Sequence, residues 1–309
     1  MSEKRGRFNS SKTRVEPAFD YILDPQHKER FEDFVRFLNK NVSRKGKCPR
    51  LPLGACVKDF WYDSVKNGKK EIRRRAPADY LIQLISNICN SELINWTQLS
   101  ELCPESQRKR EEIKKDQAAR YEAINMLNTE YRYGKGRGCN VYVLEGNTQP
   151  DVCIKTDKYY MLIEGKRSEQ HLTRATKWVK DRDQMIRHID AFLDNSEGGE
   201  SGQMLPVYGL YIVEIPELYQ TKFQTEFEDY EDETKLKKWL PHRSREQVKF
   251  IKDNCFLGYV TWERILNHFK NEIAYLKEVG KAYDSGGYLQ ELQRQRERCR
   301  RDRDGAYRC

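Results

Sequence analysis

Asp151, Glu164 and Lys166 are the residues whose types and spacing could do chemistry on a phosphate. They lie in the stretch QPDVCIKTDKYYMLIEGKRS, residues 149–168. Two apolar runs there predict strands over 151–156 and 159–166, turning at Asp157-Lys158. In that register Lys155 faces Tyr160, Cys153 faces Leu162 and Asp151 faces Glu164. Side chains alternate faces along a strand, so Asp151, Glu164 and Lys166 project to one side of the hairpin. A slip of one residue would break the set. Two opposed carboxylates repel, which makes the pair a poor structural choice. A hard divalent cation reverses the sign, because Mg²⁺ takes oxygen ligands, often one or two carboxylates with waters and phosphate oxygens. Such an ion stabilises charge developing on a phosphate and lowers the pKa of a bound water. Lys166 could orient that water. The ordinary reading of an acid and a lysine two positions apart is the exposed end of a strand.

Pro150-Asp151 followed by Glu164-Gly165-Lys166 resembles the PD-(D/E)XK nuclease superfamily, known from restriction endonucleases and from repair and recombination nucleases. The resemblance covers about residues 104–215. It implies an α/β fold with a restriction-endonuclease-like αβββαβ core and hydrolysis of phosphodiester bonds. It also implies Mg²⁺ as cofactor, with Mn²⁺ as substitute. Asp151 and Glu164 would be metal ligands with the Gly165 carbonyl, and Lys166 the catalytic lysine. Many members add an acid on the helix before the first strand. Glu130 is the best-placed candidate, with Glu122 and Glu145 as alternatives. Some exonuclease-like members carry Gln-x-x-x-Tyr on the helix after the lysine. Gln184 and His188 match that loosely, with His in place of Tyr. If 170–194 is one helix, its apolar face centres near residue 182 and Gln184 points roughly 160° away. A kink at Lys180-Asp181-Arg182-Asp183 would remove that objection.

The elements that must position these residues follow from pattern. Residues 1–14 read as a disordered basic tail and 15–103 as a mostly helical N-terminal region, with helices over 17–42 and 78–90. A charged helix begins at Pro104 and runs to about 130. Strands follow at 140–146, 151–156 and 159–166, then a helix over 170–194 and a buried strand at 205–215. The nuclease-like core spans 104–260, with a polar, acidic insertion at 216–246 and a strand at 256–260. Thr261 caps a final helix. Residues 261–309 are that helix and a basic tail, with seven arginines against four acids from Glu291 onward.

Composition bounds the partners. The chain has 309 residues, 57 basic and 48 acidic, for a net charge of +9. That excess suits a polyanion, nucleic acid first and DNA most simply. Lys69, Lys70, Arg73, Arg74, Arg75 and Arg167 are the candidate phosphate contacts. Phe60-Trp61-Tyr62 could stack on bases, or serve as an aromatic anchor beside a basic loop. No apolar run approaches a membrane span. The N-terminus lacks the apolar core of a secretory signal. Nine cysteines occur, with no CxxC pair. Reduced thiols in an intracellular protein, cytoplasmic or nuclear, are the simplest reading. Double-strand cleavage by one such site favours a homodimer or larger assembly. Two other readings compete with a DNA endonuclease: a nuclease-like DNA-binding module without catalysis, and a nuclease directed at RNA.

Overall fold

In this computed structural model, residues 15–46, 48–62, 72–88, 94, 104–131, 144–166, 172–174, 179–194, 204–214 and 220–269 are described. The hairpin expected at 151–166 forms its centre. Strands β2 (Val152–Thr156) and β3 (Tyr160–Lys166) pair antiparallel, with Cys153 opposite Leu162 and Lys155 opposite Tyr160. That is the expected register. Thr156 closes the turn, its backbone N–H and its hydroxyl both donating to the Tyr159 carbonyl.

The hairpin sits in a five-stranded sheet of order β1-β2-β3-β4-β5, so the fold is α/β. Strand β1 is Val57–Tyr62, antiparallel to β2. Strands β4 (Val207–Val213) and β5 (Phe256–Thr261) continue parallel to β3. Alternation along β3 divides the core in two. Met161 and Ile163 face one layer, packed with helices α1 (Glu16–Ile22), α2 (Lys28–Asn41) and α10 (Trp262–Phe269). Tyr160 and Leu162 face the other, packed with α6 (Gln184–Asp194). The acidic stretch read as an insertion supplies α7 (Gln220–Glu228) and α8 (Glu233–Trp239). Its Phe223, Phe227, Tyr230 and Trp239 pack into that second layer, followed by α9 (Arg245–Asn254). Thr261 caps α10 as expected, accepting from the Arg264 N–H.

Several elements differ from the sequence reading, among them the helix expected over 17–42, which divides into α1 and α2. The first sheet strand is β1, inside the region read as helical. VKDFWY lacks clean alternation and lies half-exposed on the sheet edge, so its pattern carries little signal. Leu144–Gly146, the described part of the expected strand 140–146, form a bend instead, because Glu145 is drawn inward between Arg182 and Arg187. The charged helix from 104 divides into α4 (Pro104–Lys115) and α5 (Gln117–Met126) at Asp116, whose carboxylate caps α5. The few apolar residues there, Ile113, Ala123 and Leu127, join α3 (Ala78–Ser86) in a third cluster separate from the two on the sheet. Thus the described residues of 72–148 form a largely helical excursion between β1 and β2.

The long helix expected over 170–194 begins only at Gln184. Before it, the chain doubles back. Arg182 N–H donates to the Arg174 carbonyl, and Gln184 N–H to the Thr173 carbonyl at 3.0 Å. The described residues 172–174 and 179–183 are not helical, so the helix starts after the Lys180–Asp183 stretch rather than kinking within it. Gly209 then lets α6 press onto the sheet, since a Cβ there would come 2.6 Å from Met185 Sδ. No helix among the described residues is long and apolar enough to cross a membrane.

Candidate active site

Lys166 is the last residue of β3 and Gln184 the first of α6, the helix that leads on to the parallel strand β4. Their meeting point lies at the carboxyl end of the strands, where open α/β sheets bind ligands. Because α6 starts at Gln184, that residue turns inward rather than to solvent. Lys166 Nζ donates to Gln184 Oε1 at 2.9 Å and to Thr173 Oγ1 at 3.3 Å. Glu164 lies two residues back on the same face, with Oε2 3.6 Å from Lys166 Nζ. Both side chains are almost wholly buried.

Glu164 has a further neighbour. His188 Nε2 lies 2.7 Å from Glu164 Oε1, and His188 Nδ1 lies 2.5 Å from Thr148 Oγ1. Burial pushes the ring down to about 3, the Arg187 and Lys166 charges adding to it and Asp151 and Asp183 opposing. The ring is therefore neutral near neutral pH.

Asp151 sits just before β2, where the chain bends. Extending the ladder from Val152 opposite Ile163 puts it across from Glu164. Its carboxylate turns over the strand end, and Oδ2 accepts from the Gly165 N–H at 2.8 Å. Gly165 has little room for a side chain: a Cβ would come 2.7 Å from Val15 Cγ2 and 3.4 Å from that Asp151 oxygen. Asp151 and Gly165 thus lie at the same strand end as Glu164, Lys166 and Gln184, with the Asp151 carboxylate on the Gly165 backbone toward Val15 and Trp262, and the Glu164, Lys166 and Gln184 side chains on the α6 side.

Glu130 does not join them. It is exposed on the π-helical turn Leu127–Tyr131 that follows α5, in the excursion rather than on a helix packed on the sheet. Glu145 is buried, but it is held by Arg182 at 2.6 Å and Arg187 at 3.0 Å. Of the candidate phosphate contacts, Arg73 is exposed. Arg74 lies over the Phe192 ring and Arg75 over the Tyr131 ring, both half-buried. Phe60 and Tyr62 pack edge-to-face and against the first core layer, which fits an aromatic anchor. Lys69, Lys70, Arg167, the tail 1–14 and the Arg-rich end lie outside the described residues. Cys48, Cys56, Cys153 and Cys255 are unbonded thiols, the last two buried in the second layer. Thr148 and Thr173 carry no sequence signal, and His188 showed only as an imperfect match to a tyrosine.

Oxygen donors suit a hard cation. Asp151, Glu164 and the Gly165 carbonyl make the kind of partial oxygen set that Mg²⁺ takes while keeping several waters. Among the described residues, no three His, Cys, Asp or Glu side chains gather as a cage for a metal held wholly by side chains. No protein-family model, curated protein or solved structure matches the chain.

Proposed function

We propose that this chain is a Mg²⁺-dependent nuclease with a restriction-endonuclease-like core, hydrolysing phosphodiester bonds in DNA as an endonuclease. The observation that carries the reading is the strand end itself. The β2–β3 register aligns Asp151 with Glu164, and Lys166 lies beside Glu164 with its ammonium on two neutral oxygens. An order of helix, strand, strand, strand, helix, strand along α2, β1, β2, β3, α6 and β4 supports the reading, with α2 and β1 in the places where the sequence reading had 104–130 and 140–146. The excursion 72–148 interrupts it. Asp151, Glu164 and the Gly165 carbonyl would hold the cation. Bound there, it supplies Lewis-acid stabilisation of phosphate charge and a more acidic water. Lys166 donates toward the scissile phosphate, and Gln184 fixes the direction of its ammonium. The net charge of +9 favours retention of a polyanion.

The test is incubation of purified protein with supercoiled plasmid and Mg²⁺ or Mn²⁺, repeated with EDTA and with Glu164→Gln. Cleavage is expected only for the native protein with metal. Plasmid bound but intact, with single-stranded RNA also intact, would leave a nuclease-like binding module. Cleavage of the RNA alone would make the substrate RNA.

A further inference from the structure

We infer that His188 is the positioning residue of Glu164, and that Thr148 at the end of the helical excursion sets the ring. This rests on the nuclease reading above. An ionised carboxylate only accepts hydrogen bonds, so His188 Nε2, 2.7 Å from Glu164 Oε1, carries the proton. In a neutral ring Nδ1 is then an acceptor, and the hydroxyl of Thr148 at 2.5 Å is its donor. The two contacts fix the tautomer and the plane of the imidazole together.

Thr148 is itself pinned. Its N–H donates to the Arg74 carbonyl at 2.8 Å, and its carbonyl accepts from the Arg74 N–H at 3.0 Å, an isolated antiparallel bridge. Arg74 and Thr148 lie near the two ends of the excursion 72–148. One helical position before His188, Arg187 pairs with Glu145 at 3.0 Å, which ties α6 to the same segment. The bridge orients Thr148, Thr148 orients His188, and His188 holds Glu164 Oε1 while Oε2 stays 3.6 Å from Lys166 Nζ. The excursion thereby reaches the site without placing an acid in it. Hydrogen-bond partners behind a metal-binding carboxylate commonly govern metal affinity or activity by about 10–100-fold.

Three variants separate this role from plain packing. His188→Leu removes both contacts. His188→Gln keeps an N–H able to reach Glu164. Thr148→Val keeps shape and removes the hydroxyl. Mn²⁺ affinity is read by calorimetry on each, alongside kcat and KM for plasmid cleavage. His188→Leu should weaken Mn²⁺ about 10–100-fold and lower kcat at a fixed Mn²⁺ concentration, with KM for DNA unchanged. His188→Gln should restore most of the affinity, and Thr148→Val should fall between Leu and the native protein. If His188→Leu does not fold, the other two decide: native affinity in Thr148→Val, or no binding in His188→Gln, overturns the inference. A folded His188→Leu with native Mn²⁺ affinity and kcat also overturns it. A native protein that neither binds Mn²⁺ nor cleaves removes the nuclease reading itself.

Discussion

Two buried polar clusters touch α6, and they treat charge in opposite ways. Around Arg182 the charges close on one another. Its guanidinium pairs with Glu145 at 2.6 Å and with Asp190, stacks 3.6 Å over the Tyr80 ring, and donates from Nε to the Trp239 carbonyl. Arg243 Nε donates to Asp190 at 2.8 Å. At the strand end, Lys166 instead rests on an amide and a hydroxyl, with Glu164 at 3.6 Å, and Glu164 shares a neutral imidazole. Buried charges are usually paired and satisfied within the chain. The first cluster follows that rule and anchors α6. The second holds an ammonium and a carboxylate side by side at the carboxyl end of the sheet, an arrangement suited to a phosphate and a cation. The first cluster ties α6 to its neighbours; the second, on the reading proposed above, orients groups for chemistry.

If that contrast is right, substitutions in the two clusters should separate activity from stability. Asp151→Ala or Glu164→Ala should lower cleavage by about 10³-fold, since several kcal/mol of transition-state stabilisation goes with the cation. DNA binding, measured by gel shift, should remain. Arg182→Met should do the reverse. It takes one cation from each of the buried Glu145 and Asp190, which keep Arg187 and Arg243, at a cost of about 3–5 kcal/mol in urea unfolding. Lys166→Met removes hydrogen bonds to Gln184 and Thr173 and the looser 3.6 Å pairing with Glu164, should cost less than Arg182→Met in the same assay, and should abolish cleavage. Equal stability losses for Arg182→Met and Lys166→Met would erase the distinction.

The Arg182 cluster also sets an acid limit. Burial alone would raise the Asp190 pKa. His242 at 3.2 Å, Arg182 and Arg243 outweigh it and hold the carboxyl well below its ordinary 3.8. A depressed folded pKa gives stability that is full above 3.8 and is lost as pH falls from there toward the folded value. Urea unfolding at pH 5 and pH 3 should show a larger loss for the native protein than for Asp190→Asn. The smallest effect concerns the arginine run. Arg73→Ala should flatten the slope of log affinity against log salt by about 0.9. Arg74→Ala and Arg75→Ala, whose guanidinium groups lie over rings, should act mainly on stability.

The hairpin was legible because two alternating runs flank one short turn, which leaves few registers open. That fixed Glu164 and Lys166 on a common face. The start of α6 was not legible. The apolar spacing of 172–193 suits a continuous helix, and the side chains that oppose it find partners far along the chain: Arg182 with Trp239, Asp183 with Tyr230, Asp181 with Lys238. No local signal reports such contacts, so the inward turn of Gln184 stayed conditional on a kink. The first sheet strand was hidden for another reason. An edge strand with one face poorly covered needs little alternation, and the 72–148 excursion separates β1 from its partner β2. His188 and Thr148 reach Glu164 across that same gap.

The most direct measurement is the melting temperature of the native protein, Glu164→Gln and Lys166→Met, each with and without Mn²⁺. A cation that binds the folded chain and not the unfolded one raises the midpoint. The native protein should show that rise, Glu164→Gln should lose most of it, and Lys166→Met should keep it while cleaving nothing. No Mn²⁺ shift in the native protein, or the same shift in Glu164→Gln, would contradict a metal-dependent site at the end of β3.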